Sequence, residues 1–426
     1  MNSAAKTNIV PELDIAPPEH TSWLACLGRK LLFAQLKQLE QGELIFIDEL
    51  GTHRFGKCTD SCALSATIHV HHAQLYADAA FGGSVGAGEA YIRGLWQCDD
   101  LVALVRIFVI NRAVLNGMDS RWSLFTQPFL KLFHFWNRNS KAGSARNIAA
   151  HYDIGNELYA LMLDETMAYS CGIFRAPHST LHEASVEKFD AACRKLDLKP
   201  TDHLLEIGTG WGGLAIHAAQ HYGCKVTTTT ISKQQFELAK SRVAAAGLSN
   251  RITLLLDDYR DLQGSYDKLV SIEMIEAVGA QYLDTYLQQC SRLLKPDGAM
   301  LLQAITIQDQ LYTQALKSVD FIQRFIFPGS FIPSVTAISA SLTKVTDFKV
   351  FNLEDIGPHY ATTLRHWRER FMAQLPAVRR LGYSDSFIRL WEYYLCYCEG
   401  GFTERQLGTV QMLLTKPRNR RAAMTS

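Results

Sequence analysis

A glycine-rich turn between an apolar strand and a helix is the part of this sequence that most directly indicates a ligand. The run from Leu205 to Gly213 reads LEIGTGWGG and continues into the helical pattern LAIHAAQ. Gly208 and Gly210 carry no Cβ, so they can adopt the unusual dihedral angles of such a turn. They would let a nucleoside-bearing cofactor lie against the main chain at the helix N-terminus. The same turn also occurs without a ligand, so the motif needs support from other residues.

Two further segments bring reactive side chains to the same region of the predicted fold. YSCGIF, upstream of the turn, contains Cys171, and SIEMIEAVG, downstream of it, contains Glu276. In a doubly wound sheet the ligand lies at the carboxyl ends of the strands, where both segments are expected. Taken alone, Cys171 could be a small buried hydrophobic residue and Glu276 a carboxylate at a helix start. Their occurrence together with the glycine turn favours a site.

The order of these motifs resembles one known family, the cyclopropane-fatty-acyl-phospholipid synthases, which are S-adenosylmethionine-dependent methyltransferases. The resemblance extends from Gly88 to the C-terminal helices. It rests mainly on the segments HYDIGN (151–156), YSCGIF (169–174), LEIGTGWGG (205–213), SIEMIEAVG (271–279) and FIFPGSFIPS (325–334). It implies an α/β fold: a Rossmann-like class I methyltransferase domain with a doubly wound sheet, and a smaller N-terminal α+β domain.

The resemblance also implies which residues hold S-adenosylmethionine. After the second strand the chain reads TTIS, where a dinucleotide enzyme would place an acidic residue on the ribose. This segment instead matches the family's T-I-S-x-x-Q pattern. After the third strand, Tyr259 would supply a flat face to the adenine and Asp258 an acceptor for its amino group. The implied cofactor residues are Tyr169, Ser170, Glu206, Gly208, Gly210, Thr230, Ile231, Gln235, Asp258 and Tyr259.

The chemistry of the family sets the remaining requirements. An isolated alkene is a poor nucleophile, so the sulfonium methyl must be held in line with the double bond in a dry site. The carbocation that results can be stabilised by aromatic faces, for which Tyr360, Phe325 and Phe327 are available. A base must then remove a proton. The resemblance implies that this base is a bicarbonate ion, held by Cys171, Glu276, Gln303, the backbone of Ile305, and Tyr360.

Two positions depart from the family pattern. Gln303 stands where the best-known members have histidine; its amide can hold an anion but cannot take up a proton. Glu273 stands where family members often have a small residue, and the sequence alone gives it no role.

Apolar runs alternate with helical patterns in the C-terminal part of the chain, which is typical of a parallel sheet covered by helices on both faces. The expected strands are 204–208, 225–231, 252–257, 268–275, 299–307 and 348–356, and the stretch after Ile307 is expected to form a lid. The N-terminal part mixes helices (24–39 and 101–115), short strands (44–47 and 66–70) and a glycine-rich connector (82–88). We therefore predict a disordered lead (1–20), a small α+β domain (21–120), a helical linker (121–150), the catalytic domain (151–415) and a basic tail (416–426).

The composition limits the partners. With 43 Lys and Arg against 42 Asp and Glu, the chain lacks the strong overall positive charge that attracts nucleic acid. Ten scattered cysteines without a zinc pattern are expected to be free thiols in a reducing cytoplasm, and no metal site is expected. Neither a secretion signal nor an apolar run long enough to span a bilayer is evident. A lipid substrate would then be reached from the cytoplasm at the inner membrane surface.

An aromatic stripe in the linker leaves two interpretations open. Trp122, Phe125, Phe129, Phe133 and Trp136 recur at helical spacing, with cations nearby. They suit a membrane interface, but burial against the other domain or a homodimer partner is at least as compatible with the pattern. The basic tail could contact anionic headgroups, although a free solvated tail is the commoner outcome.

The resulting expectation is a methyltransferase that adds a methylene bridge across the cis double bond of an unsaturated acyl chain in a phospholipid. One alternative is a methyl- or methylene-branched product, formed if the cation loses a proton from the neighbouring chain carbon. Others are nitrogen or oxygen methylation of a small molecule, and a non-catalytic lipid-binding protein.

Overall fold

A computed structural model describes residues 22–112 and 154–424 of the chain. In the first of these ranges the elements are α1 (Trp23–Leu36), β1 (Gly42–Asp48), β2 (Gly51–Lys57), β3 (Ser65–Val70), α2 (Gln74–Ile92), β4 (Trp96–Cys98) and α3 (Leu101–Ile110). Residues 154–316 form α4 (Asn156–Met162), α5 (Leu181–Leu196), β5 (His203–Ile207), α6 (Gly213–His221), β6 (Lys225–Thr229), α7 (Lys233–Ala245), β7 (Ile252–Leu255), β8 (Tyr266–Ile272), α8 (Leu283–Arg292), β9 (Leu294–Ile307) and α9 (Asp309–Ala315). The remaining elements are α10 (Phe321–Phe325), α11 (Val335–Val345), β10 (Lys349–Asp355), α12 (Gly357–Ala373), α13 (Leu375–Arg380), α14 (Asp385–Thr403) and β11 (Leu407–Thr415).

The chain divides into two compact units, each assembled from separate stretches. The described part of the first unit comprises residues 22–112, 317–328 and 364–406, and that of the second comprises 154–316, 329–363 and 407–424. The sequence-based domains, 21–120 and 151–415, are continuous and therefore do not coincide with these units. The difference arises because α14 packs on α2 and α3, which draws a late segment of the chain into the first unit.

The first unit contains a four-stranded sheet in the order β2-β1-β3-β4, in which only β1 and β3 run parallel. The glycine-rich connector predicted at 82–88 is wrong, because these residues lie within α2, which kinks at Gly83 (φ 59°). A Cβ on Gly86 would lie 2.1 Å from the carbonyl oxygen of Asp78. Glycine here permits a close approach of two backbone segments at the kink rather than a loop.

The second unit contains a seven-stranded sheet in the order β10-β11-β9-β8-β5-β6-β7. Strands β5 to β9 are parallel, and β11 runs antiparallel between β9 and β10. The six strands predicted from apolar runs are present with shifted ends, whereas β11 was not predicted. Two apolar clusters pack around this sheet: one includes Leu205, Leu269 and Leu302, and the other includes Leu204, Val270 and Leu301. Alternate residues of the same strands thus enter different clusters, as expected for a sheet covered on both faces.

Some predictions concern residues outside the described ranges: the lead at 1–20, the stripe at 122–136, and His151 to Asp153 of the HYDIGN motif. A free solvated state, one of the two outcomes left open for the basic tail, is not what the structure shows as far as Arg421. Lys416 forms an ion pair with Asp347, and Arg421 donates to the carbonyl oxygen of Lys195 at 2.6 Å. Within the described residues, no helix is long and apolar enough to cross a membrane.

Candidate active site

The glycine turn follows β5 and opens α6, as the sequence predicts. Gly208, Gly210 and Gly212 all have positive φ, at 105°, 51° and 84°. A Cβ on Gly210 would meet no atom within 4 Å, so one side of the turn faces open space. A Cβ on Gly208 would lie 3.3 Å from the side chain of Met274. The turn therefore abuts the segment that carries Glu273 and Glu276.

Other predicted cofactor residues surround this turn. Glu206 is buried and accepts from the hydroxyl of Thr228 at 2.6 Å. Burial raises the pKa of Glu206 to about 8, so its carboxyl is largely protonated at neutral pH. Thr230 and Gln235 are buried and hydrogen-bond each other at 2.8 Å, beside the partly exposed Ile231.

The two residues expected at the adenine are already engaged within the protein. The Asp258 carboxylate accepts from the backbone N–H and the guanidinium of Arg260. The Tyr259 ring is buried in the core, with its centroid 5.3 Å from that of Tyr286. The adenine contacts of these two residues therefore stay predictions.

A carboxylate with three donors, that of Glu273, lies immediately after β8. It is the centre of a second group of site residues, the carboxylate cluster, which consists of Glu273, Glu276, Cys171, Gln303, Ile305 and Tyr360. Glu273 Oε1 accepts from the backbone N–H of Cys171 at 3.0 Å and from Gln303 Nε2 at 2.9 Å. Its Oε2 accepts from the hydroxyl of Tyr360 at 2.6 Å. The backbone of Glu273 is left-handed, with φ at 49°, a conformation that non-glycine residues adopt rarely and that is often found at functional sites.

The second carboxylate of the cluster holds its proton. Glu276 Oε1 accepts from the backbone N–H of Ile305 at 2.5 Å, whereas its Oε2 is buried without a hydrogen-bond partner. Burial, and then the negative charge of Glu273, raise the pKa of Glu276 to about 8. Burial also raises the pKa of Glu273, but its hydrogen bonds and the charge of Lys188 oppose that shift. Three donors and the charge of Lys188 favour the ionised form of Glu273, whereas Glu276 has a single donor.

A chain of amides fixes the donor that faces Glu273. Lys195 Nζ donates to Gln411 Oε1 at 2.6 Å, and Gln411 Nε2 donates to Gln303 Oε1 at 2.9 Å. Neither glutamine side chain is exposed to solvent. An ammonium group can only donate, so it sets the orientation of Gln411, which in turn sets that of Gln303. The Gln303 amide must therefore present its NH2 group to Glu273.

Cys171 contributes to this cluster through its backbone. Its thiol is fully buried, and burial holds the pKa of the thiol well above its ordinary value, so it is neutral. The adjacent Ser170 hydroxyl accepts from the buried ammonium of Lys188 at 2.6 Å. Burial lowers the pKa of Lys188, while the negative charges around it, led by Glu273, oppose that shift.

Sequence reasoning missed the roles of Glu273, Gln411 and the two lysines. Signals for them exist: Gln411 interrupts the apolar run 410–414 of β11, and Lys188 and Lys195 occupy positions on the apolar face of α5. Among the predicted lid residues, Phe331 donates its N–H to the carbonyl oxygen of Glu276 at 3.0 Å. Phe325 and Phe327 belong to the first unit, so their contact with the site stays a prediction.

The two predicted small-molecule groups fit this site differently. The open side of the turn at Gly210 can admit S-adenosylmethionine against bare backbone. Bicarbonate does not fit, because the donors expected to hold it, on Cys171, Gln303 and Tyr360, already donate to Glu273, and Ile305 N–H donates to Glu276. The predicted bicarbonate cradle is therefore corrected: its residues do converge, but they surround a side-chain carboxylate.

One group of possible metal ligands lies elsewhere among the described residues. Atoms of Asp164, Glu165 and His182 lie within 4.8 Å of one another. Asp164 accepts from the hydroxyls of Thr166 and Ser185, so this group stabilises the loop before YSCGIF.

Comparison with known proteins identifies the family of the chain. The chain matches the family model of mycolic acid cyclopropane synthetase over residues 139–412. It is 38% identical over 342 residues to a tuberculostearic acid methyltransferase of Mycobacterium tuberculosis, covering 78% of this chain and 79% of the relative. It is 34% identical over 353 residues to the cyclopropane-fatty-acyl-phospholipid synthase of Escherichia coli, covering 82% and 88%.

A solved structure supports the same assignment. Mycolic acid cyclopropane synthase CmaA1, complexed with SAH and CTAB, aligns with a TM-score of 0.60 at 30% identity, covering 64% of this chain and 98% of that one. Its fold confirms the predicted α/β class of Rossmann-like methyltransferases. The family match covers more than half of the chain and includes the glycine turn and the carboxylate cluster. The chain therefore belongs to the mycolic acid cyclopropane synthetase family and is an S-adenosylmethionine-dependent methyltransferase.

Proposed function

We propose that this protein methylates the double bond of an unsaturated acyl chain in a phospholipid. S-adenosylmethionine supplies an electrophilic methyl group when bound at the glycine turn. The observation that carries the proposal is the position of Glu273 and Glu276. They lie one residue before and two residues after Met274, whose side chain is next to the glycine turn. Methylation of an alkene leaves a carbocation that must lose a proton bound to carbon, so a partly buried proton acceptor beside the cofactor turn suits this reaction.

The residues of the second unit also suit a dry reaction. Gln303, Gln411 and the Cys171 side chain are excluded from solvent, and the carboxyl of Glu276 is protonated near neutral pH. A carbocation in such surroundings is protected from capture by water. Methylation of a nitrogen or oxygen atom on a polar molecule would not need this protection.

The reaction has two possible endings, each with support. Ring closure is supported by the family model and by the Escherichia coli relative, which is named for a cyclopropane product. A branched product is the second candidate, because the 38% identical relative is named as a tuberculostearic acid methyltransferase and because the base here is a side chain fixed to the end of β8. A base fixed in this way can approach the carbocation from one side only, so its position selects which proton is lost.

Labelled cofactor tests both the reaction and its ending. The protein is incubated with vesicles of a cis-monounsaturated phospholipid and S-adenosylmethionine carrying a trideuterated methyl group, and the lipids are analysed by mass spectrometry. Ring closure removes one deuterium from the transferred methyl, whereas a methyl-branched alkene keeps all three. Vesicles of a saturated phospholipid are the control. Equal labelling of both lipids, or none of either, contradicts the proposal.

Access to the lipid is a further part of the proposal. A phospholipid in a bilayer is reached only at the membrane surface, so we propose peripheral association. Cosedimentation with vesicles of unsaturated phospholipid tests this, and a protein that methylates detergent-dispersed lipid but neither binds nor modifies vesicles would contradict it. The homodimer remains a prediction, to be checked by light scattering.

A further inference from the structure

The carboxylate of Glu273 occupies the centre of the predicted anion cradle. Its three donors come from three different parts of the second unit: the loop before α5, strand β9 and the first turn of helix α12. Three converging donors are the surroundings expected of a bound anion. The protein thus provides from its own chain what the family resemblance assigned to a bicarbonate ion.

We propose that Glu273 is the built-in base of the reaction and that the enzyme works without bicarbonate. This inference rests on the proposed alkene methylation. One Glu273 oxygen takes a proton from the carbocation, and the electron pair of the broken C–H bond forms the new C–C bond of the ring. If the proton comes from the neighbouring chain carbon, the same pair forms the double bond of a branched product. Glu273 becomes a neutral acid and later returns its proton to solvent.

The neighbouring groups are consistent with this role. Gln303 cannot accept a proton, and Glu276 holds one near neutral pH, with a pKa of about 8. Glu273 is then the carboxylate of the cluster that is free to accept. Burial raises the pKa of Glu273, which moves it towards the range where a carboxylate is an effective base.

The amide chain keeps this base in the right state. Lys195 orients the Gln411 amide, which orients the Gln303 amide so that its NH2 group donates to Glu273. This donor favours the ionised form of Glu273 at the start of each cycle. Gln411 and Lys195 act through Gln303 and are positioning residues.

Glu273→Gly and Glu273→Gln separate the possibilities. Glycine suits the left-handed backbone and vacates the space between the three donors, so it restores a cavity for an anion. Glutamine keeps the space filled but cannot act as a base. In buffer depleted of carbon dioxide, both variants are expected to lose activity by about 100-fold or more. Added bicarbonate should restore at least about a tenth of the lost rate in Glu273→Gly, and none in Glu273→Gln.

The wild type and a matched control complete the experiment. The wild-type rate is expected to be the same with and without bicarbonate. Asp197→Gly also replaces an acidic residue at positive φ (51°), but at an exposed helix end, so its rate should be unchanged in both buffers. Calorimetric titration with S-adenosylmethionine should give the same Kd for all four proteins.

A measurement independent of turnover tests the same site. Carbon-13 NMR with labelled bicarbonate should show binding to Glu273→Gly and none to the wild type. The inference is overturned if the wild type binds bicarbonate or slows without it, or if Glu273→Gly keeps its rate in depleted buffer. If the wild type binds no bicarbonate and also fails to label unsaturated lipid, the proposed function fails while the occupation of the cradle by Glu273 stands.

Discussion

Gly210→Ala tests where the cofactor lies, and Gly247→Ala is its matched control. Both glycines belong to the second unit, have positive φ (51° and 69°), and would place a Cβ with no atom within 4 Å. Each alanine therefore has the same backbone cost and no clash with the protein. A left-handed L-residue costs about 1 to 2 kcal/mol, which corresponds to a lowering of Tm by about 2 to 8 °C.

The two variants should differ in cofactor binding. The methyl group that Gly210→Ala adds would enter the open side of the turn after β5, where the cofactor is expected to touch bare backbone. Gly247 follows α7 and precedes β7, so it lies on the side of the sheet where the parallel strands begin, whereas the glycine turn lies where they end. We expect Gly210→Ala to weaken S-adenosylmethionine binding at least about tenfold, or about 1.4 kcal/mol, while Gly247→Ala changes it less than about twofold.

The assay is isothermal titration of S-adenosylmethionine beside a thermal melt of each variant. Equal Tm losses with a loss of affinity only in Gly210→Ala would agree with the reasoning. Undiminished affinity in Gly210→Ala, or an equal loss in both variants, would place the cofactor elsewhere.

Three further variants test the electrostatics of the second unit. Because burial raises the pKa of Glu206 to about 8, its contribution to the free energy of unfolding is fully present below pH about 4.5 and is lost as the pH rises through about 8. Urea unfolding measures the free energy of unfolding at pH 5 and at pH 8. Between these pH values it should fall less in Glu206→Gln than in the wild type, by on the order of a few kcal/mol. Tyr360→Phe removes one donor to Glu273 and should lower kcat by about 100-fold with little change in cofactor Kd, measured by single-turnover kinetics and calorimetry. Gln303→Leu removes another donor, so the acidic limb of the kcat profile should move to higher pH; an unmoved limb would mean that Glu273 does not titrate in turnover.

The parallel strands could be predicted from the sequence because burial on both faces makes each of them a continuous apolar run. Strand β11 escaped prediction because it follows the long helix α14 and contains a glutamine, which breaks the apolar pattern. Residues 82–88 of α2 were interpreted as a connector because glycine disfavours helices in general. Here Gly86 is required by the close approach to Asp78, which only the folded chain reveals.

Part of the membership of the site was predictable, but its hydrogen bonding was not. Cys171, Gln303 and Tyr360 were expected to converge, and the structure does bring them together. Their common partner could not be derived, because the bond between Cys171 and Glu273 joins residues 102 positions apart. The bond between Gln411 and Gln303 likewise spans 108 positions and depends on the register of β11 against β9. Such pairs follow from strand order, which periodicity does not encode.

The two departures from the family pattern are joined by one hydrogen bond, that from Gln303 Nε2 to Glu273 Oε1. A carboxylate at a partly buried left-handed position costs free energy for desolvation and for backbone strain. Such a carboxylate is stable only if hydrogen-bond donors compensate its charge. A donor that could lose its proton to the carboxylate would neutralise it, and the carboxylate could then no longer act as a base. A glutamine amide oriented by Gln411 and Lys195 donates without titrating. Glu273 requires a partner of this kind, so the loss of the family's histidine and the gain of a carboxylate are one change in the chemistry of the site: the base moves from a diffusible ion to the protein itself.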